Sequence, residues 1–279
     1  MKQVIILGQK GNLAASLLRQ YPNAVTVGKQ EFLEWIQKPN KLTEIISKLE
    51  VLPKDIDIFN CAGVTSARLD IKEINLANYQ LPLFLSEQSE LLDYRLITFG
   101  TIMEQLPKYA TSNNYLESKL RFYNQFQLNE SWASSNLHIQ MHTLYGGRHI
   151  HPHMFLGQIY NSLTNLESFK MSGGEQIREY HHVDDVAKAI RVIVETQQSG
   201  LRDISNGVPE KLKNIAEAIF SHFDATQLLC LSSDKMNEND NRDLIFKKPL
   251  ELMEVTFRPT IQNIIGWLEE LGVKNVAGR

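Results

Sequence analysis

The chain has 279 residues, which at about 150 residues per domain means one large domain or a domain with a small lobe. Hydrophobic residues make up 43% and charged residues 22%, a globular composition that argues against a disordered chain and allows a sizeable core. Lys plus Arg is 29 against 32 for Asp plus Glu, a net charge of -3. That balance gives no electrostatic reason to expect nucleic acid or an anionic membrane as partner. Two cysteines, Cys61 and Cys230, are too few for a disulfide framework, and their apolar neighbours predict buried thiols. The longest N-terminal apolar run, 4–7, is too short for a signal peptide or a spanning helix, so the expectation is a soluble, cytoplasmic protein.

In chain order, 4–7 reads as a buried strand ending at Gly8, followed by a helix over 13–18. A second strand covers 24–27, and 32–49 is helical with an interruption at Pro39. Further strands are predicted at 56–59, 96–99 and 137–144, and helices at 76–92 and 115–129. Continuous apolar strands alternating with helices predict an α/β fold: a doubly wound parallel sheet with its ligand at the C-terminal ends of the strands. After residue 146 the texture changes. A loop rich in Gly and His (146–152) precedes helices over 154–166, 183–195, 211–223 and 261–271, and 232–242 reads as a polar surface loop. The predicted division is a dinucleotide-binding domain at 1–146 and, at 147–279, a small C-terminal substrate lobe with elements that return to the main sheet.

Two segments carry chemistry. In the first, Gly8 allows a tight strand-to-helix turn, and Gly11 lets backbone approach a pyrophosphate at the positive end of the helix; Ala14 stands where a third glycine is usual. The second is Tyr115-x-x-x-Lys119, four apart on one helix face, where an ammonium beside a phenol eases loss of the phenolic proton. The strand before it ends Thr98-Phe99-Gly100-Thr101, with hydroxyls at the strand tip. No acid follows the second strand until Glu31, and Lys29 stands where a 2′-phosphate could be paired, which leans the cofactor toward NADP over NAD; the alternative is a solvated lysine.

Together with Asn60-Cys61-Ala62-Gly63, Asn75, Tyr145-Gly146-Gly147 and Arg178-Glu179-Tyr180-His181-His182-Val183-Asp184-Asp185-Val186-Ala187, these segments resemble the extended short-chain dehydrogenase/reductases, specifically the NAD(P)-dependent nucleotide-sugar epimerase, dehydratase and 4-ketoreductase group. The resemblance runs from Met1 to about Gly272. It implies a Rossmann-type fold and cofactor contacts from Gly8, Gly11, Asn12, Leu13, Asn60, Ala62, Gly63, Tyr115 and Lys119. It also implies Tyr115 as proton donor or acceptor, Lys119 as its partner on the nicotinamide ribose, and a Ser or Thr on the substrate oxygen. Phe99 occupies the place of that hydroxyl, and Thr101, then Thr98, is the substitute. Arg178 aligns with a diphosphate-binding arginine and Arg148 is a second phosphate contact, since a guanidinium fork matches phosphate oxygens in pairs. For Arg178 the plain alternative is an ion pair with Glu175 or Glu179.

A dehydratase of the group has an Asp-Glu pair after its threonine. Here Glu104 is the only nearby acid, which points away from dehydration. The expected activity is 4-keto reduction of a nucleotide-diphosphate sugar. The alternatives are an NAD-dependent epimerase or a non-catalytic NAD(P)-binding sensor or assembly protein. The resemblance further implies a homodimer. His149, His151 and His153 alternate as zinc ligands could, but Pro152 interrupts them and no Cys lies near, so no metal is expected.

Overall fold

The computed structural model describes residues 2–65, 70–106, 113–232 and 244–276; apart from Ser232, the polar run 232–242 lies outside the described residues. The chain opens with β1 (Gln3–Leu7), α1 (Asn12–Gln20), β2 (Val25–Val27), α2 (Lys29–Gln37), α3 (Asn40–Ser47) and β3 (Ile56–Asn60). Next come α4 (Ile71–Asn75), a π-helical turn (Leu76–Gln80), α5 (Leu81–Leu92), β4 (Arg95–Thr101) and a 3-10 turn (Ile102–Gln105). The series continues with α6 (Asn114–Leu128), α7 (Glu130–Ser135), β5 (Leu137–Met141), β6 (Thr143–Tyr145) and α8 (Phe155–Asn165). Then follow β7 (Phe169–Met171), β8 (Ile177–Arg178), β9 (Tyr180–His182), α9 (Val183–Glu195) and β10 (Gly200–Ile204). The last are β11 (Glu210–Lys211), α10 (Leu212–His222), β12 (Leu229–Leu231) and α11 (Thr260–Glu270).

Six strands form one sheet in the order β10-β5-β4-β3-β1-β2, and every pair in it is parallel. This is the expected α/β, doubly wound architecture. The order reverses between β1 and β3, and in such sheets ligands sit outside the carboxyl ends of the strands at that reversal. Among the described residues β2 is the only strand on the side of β1 away from β3, one fewer than the two that a 3-2-1-4-5-6 dinucleotide sheet places there. The strands are apolar runs because both faces are covered. On one face Ile5, Leu7, Ile58 and Leu96 pack with Phe32, Trp35, Leu42, Leu81 and Leu85. On the other, Phe59 stacks between Tyr21 and Phe99, with ring centroids 5.2 and 6.4 Å away.

The chain divides into two compact units, Met1–Met141 with Ala187–Ile204, and His142–Val186 with Ser205–Arg279. The strand predicted at 137–144 is two strands. β5 ends the first unit's run, and β6 pairs in parallel with β9 in the second. Pro39 turns the predicted 32–49 helix into two, as the N-cap residue of α3. β10 went unpredicted because its sequence, Gly-Leu-Arg-Asp-Ile, has no apolar run; it extends the sheet by pairing with β5.

The second unit is built around α8, α10 and α11, with Leu156, Ile159, Leu163, Ile215, Ile219, Phe220, Ile264 and Leu268 in its core. Its strands form three two-stranded sheets. The expectation of two buried thiols is corrected here. Cys61 is half-buried, and Cys230 is exposed because β12 is a three-residue strand paired only with β7.

Candidate active site

The glycine turn is built by close approach. Gly8 has φ +79°, and a methyl group there would stand 2.8 Å from Ala62 N and 2.9 Å from the carbonyl carbon of Cys61, so the first turn lies directly on the loop after β3. Gly11 donates its N–H to Gly8 O at 2.9 Å and is the N-cap of α1, with no side chain to occupy that helix end. Asn12 and Leu13 are the first residues of α1. At the tip of β3, Asn60 is buried and its Oδ1 meets no hydrogen-bond partner among the described residues. A buried acceptor left unmatched beside a glycine turn and an open helix N-terminus fits a dinucleotide. Ala62 and Gly63 follow in the same loop.

That loop is held by a residue that sequence reasoning missed. Asn78 accepts from Val64 N–H and donates to Val64 O, both at 2.9 Å, and its Nδ2 lies 3.2 Å from Ser118 Oγ. Asn78 belongs to the π-helical turn, a distortion found disproportionately at functional sites and without a local sequence signal. Asn75, one of the residues that carry the resemblance, accepts from Arg121 at the surface.

Asn113 caps α6 by accepting Leu116 N–H at 2.8 Å, which starts the helix just before Tyr115. Ser118 is buried between Asn78 and the carbonyl of Tyr115. Lys119 donates from Nζ to Phe99 O at 2.7 Å, which brings the ammonium to the tip of β4. Burial drives the Tyr115 phenol well above its ordinary pKa, and the Glu104 carboxylate adds to the rise. Burial lowers the Lys119 ammonium, against which Glu104 acts. These shifts run opposite to the eased proton loss expected from the Tyr-Lys spacing.

The two threonines differ. Thr98 is buried, with Oγ1 2.8 Å from His138 Nδ1, on the sheet face that α6 covers. Thr101 ends β4, is half-buried, and caps the 3-10 turn by accepting from Met103 N–H at 3.4 Å. Phe99 points to the opposite face, onto Phe59, so a hydroxyl at that position would be replaced by ring stacking. Lys29 is exposed at the start of α2 and lies 3.7 Å from Glu73, while Glu31 turns back to accept Gly28 N–H at 2.8 Å.

Arg178 and Arg148 belong to the second unit. Arg178 donates to Ile177 O at 2.8 Å, and Arg148 is exposed in the loop after β6. Of the acids named as alternatives for Arg178, Glu175 pairs with Lys211 at 2.6 Å and Glu179 is buried against His181. Asp185, in the first turn of α9, is buried and accepts the backbone N–H of Arg258 at 3.0 Å. Among the described residues no group of three or more His, Cys, Asp or Glu side chains is placed to hold a metal ion, and no helix is long and apolar enough to cross a membrane.

Residues 97–206 match the model of the NAD dependent epimerase/dehydratase family, a stretch running from β4 through α6 to the end of β10. No curated protein matches the sequence. Solved structures share the fold over nearly the whole chain. One is the NAD-dependent NDP-hexosamine 5,6-dehydratase TunA, with 13% identity and TM-score 0.76 over 99% of this chain and 100% of that one. A second is the UDP-glucose 4-epimerase of Thermotoga maritima, solved with UDP-glucose, with 14% identity and TM-score 0.74 over 96% and 98%. A third is WbmH of Bordetella bronchiseptica, solved with NAD+, with 15% identity and TM-score 0.73 over 98% and 100%. The family match over 97–206 agrees with the resemblance drawn from the motifs, and the solved structures share the fold.

Proposed function

We propose that the protein is an NAD(P)-dependent oxidoreductase acting on a nucleotide-diphosphate sugar, and that it reduces a 4-keto group. The observation that carries this reading is the pair at the tip of β4: Lys119 anchored on Phe99 O, with Tyr115 a half-buried phenol on the same helix face. As a phenol, Tyr115 carries the proton that a carbonyl oxygen must receive when it is reduced. When bound, the dinucleotide supplies the hydride. Gly8, Gly11, Asn12, Leu13, Asn60, Ala62, Gly63 and Lys119 would hold it. Thr101 takes the role of orienting the substrate oxygen, since Thr98 is engaged with His138. Arg178 and Arg148 take the diphosphate.

For the cofactor we propose NAD. The lean toward NADP rested on Lys29, which has a carboxylate partner in Glu73, and the related WbmH was solved with NAD+. A homodimer is part of the same proposal and is read by light scattering.

The test is turnover of a UDP-4-keto-6-deoxyhexose with NADH by the wild type and by Tyr115→Phe. The expected result is a loss of about a thousandfold in kcat, within the range that general acid-base groups contribute, with cofactor binding retained. Equal rates sink the assignment. The second reading, an epimerase, is favoured by the fold match to a UDP-glucose 4-epimerase. Denaturing purified protein and weighing any released dinucleotide separates the two, because an epimerase keeps and recycles its NAD. A protein that binds dinucleotide but turns over no nucleotide sugar is the sensor or assembly subunit instead.

A further inference from the structure

Glu104 has no part in the scheme above, yet it is 2% exposed and acts on both Tyr115 and Lys119. Its carboxylate is held on three sides. Oε1 accepts Thr101 N–H at 3.0 Å, and Oε2 lies 2.9 Å from Gln140 Nε2 and 3.0 Å from His138 Nε2. A carboxylate only accepts, so His138 presents its proton on Nε2 and turns Nδ1 to the Thr98 hydroxyl 2.8 Å away. The backbone makes room for this cluster by omitting one side chain: a methyl group at Gly100 would run into both the carboxylate and the His138 ring. The neighbouring carbonyl, Phe99 O, is the one that Lys119 binds. The carboxylate and the ammonium therefore meet across a single stretch of backbone, Phe99–Gly100, in a buried setting where charge acts at low dielectric.

We infer that Glu104 is a positioning residue whose charge, from behind the Phe99–Gly100 backbone, holds Lys119 as the ammonium and Tyr115 as the proton-donating phenol. The inference rests on the reading of Tyr115 as the proton-transfer group. Burial raises the Tyr123 phenol, further along α6, and the same carboxylate adds to the rise, as expected of a charge lying under this helix.

Among the described residues, the titratable groups that neighbouring elements bring toward α6 are neutral or exposed. The loop after β3 brings Gly63, where a methyl group would stand 3.8 Å from Lys119 Nζ, and Cys61, whose thiol burial keeps protonated. The π-helical turn brings Tyr79, which Arg121 covers at 4.1 Å. Lys72 and Glu73 of α4 and Glu130 of α7, on helices packed against α6, are exposed.

The test is a pH titration of protein carrying tyrosine labelled with carbon-13 at the ring carbon bearing the hydroxyl, the Tyr115 signal being assigned with Tyr115→Phe. It needs no nucleotide sugar, so a failure of sugar turnover and a failure of this inference are separate results. The expected outcome is that wild-type Tyr115 titrates above free tyrosine and that Glu104→Gln brings its midpoint down by at least one pH unit, a tenfold change in the phenolate-to-phenol ratio. His138→Gln removes a hydrogen bond but leaves the charge, so Tyr115 should titrate there as in the wild type. If Glu104→Gln does not fold, Glu104→Asp takes its place, and a smaller fall in the same direction is expected because the charge is drawn back. A Tyr115 midpoint that is the same with and without the Glu104 carboxylate overturns the inference, and so does a wild-type midpoint at or below that of free tyrosine.

Discussion

The two units each bury one carboxylate against histidine, and they use it differently. In the first, Glu104 accepts from Thr101 N–H, His138 and Gln140 and lies beside Tyr115 and Lys119, groups suited to proton transfer. In the second, Glu179 accepts from His181 at 2.9 Å, from Gly207 N–H at 3.0 Å and from Asn206 N–H, with His142 Nε2 3.3 Å from its other oxygen. Around that second cluster stand Phe257 against His181, at 4.7 Å between ring centroids, and Phe246 against His142, at 5.4 Å. The parts are the same, but the neighbours differ. A buried carboxylate among apolar rings and loop amides ties the 205–207 turn to β9; one behind a lysine and a tyrosine sets their charge. Residue type and burial do not distinguish the two roles, and only the nearest titratable groups do.

Three experiments sharpen or break this contrast. The largest effect is expected from Glu179→Ala, which strands two backbone amides and a histidine in the interior. Breaking such buried charged contacts costs about 3–5 kcal/mol. Chemical denaturation should show that loss, while the Tyr115 titration stays where the wild type has it; a moved titration would erase the distinction between the clusters.

Next comes acid. Burial pushes the His142 imidazole down to about 4, and the neighbouring His181 adds to the fall against the pull of Glu179. Between its ordinary value of about 6.5 and that lower one, the unfolded chain binds a proton that the folded chain refuses. Stability must therefore fall as pH drops through this window, by about 3 kcal/mol at most, and level off for this group below it. Burial pushes the Glu179 carboxyl up, but its hydrogen bond from His181, the two neighbouring imidazoles and the Asn206 N–H outweigh that and leave it lowered, so Glu179 also loses stabilisation on acidification. Melting curves from pH 7 to 4 measure the loss; His142→Phe should flatten it, and an unchanged slope in that variant would remove His142 as the cause.

The smallest effect on stability is expected from Gly100→Ala. The added methyl meets Glu104 and His138, and overpacking of this kind costs about 1–3 kcal/mol. Its larger consequence should be on Tyr115, whose midpoint falls as the carboxylate is pushed away. A variant that loses stability with Tyr115 unmoved would leave the first cluster as structural as the second.

Much of the first unit was legible along the chain. Val4 to Leu7 and Ile56 to Phe59 are strands because no other element buries such short apolar runs on both faces, and Gly8 and Gly11 mark a turn that needs backbone to touch backbone. Tyr115 and Lys119 were legible because helical spacing alone puts them on one face. Asn78 was not, because its partner Val64 lies fourteen positions away and the π-helical turn that aims it has no composition of its own. The short strands of the second unit were equally hidden: β8 and β11 are two residues each and exist only because they pair with each other.

What the sequence determined by itself was therefore periodic or local: the α/β alternation, the glycine turn, the Tyr-Lys face and the caps that start helices. Tertiary structure decided which hydroxyl stays available and which charge faces the phenol. Thr98 and Thr101 are three positions apart with the same chemistry, yet the pleat buries one on His138 and leaves the other at the strand end. Glu104 reads as an unremarkable acid in a turn until β5 brings His138 and Gln140 alongside it. Spacing can encode contacts between residues one helical turn apart, but contacts across neighbouring strands depend on register, and register exists only once the sheet has formed.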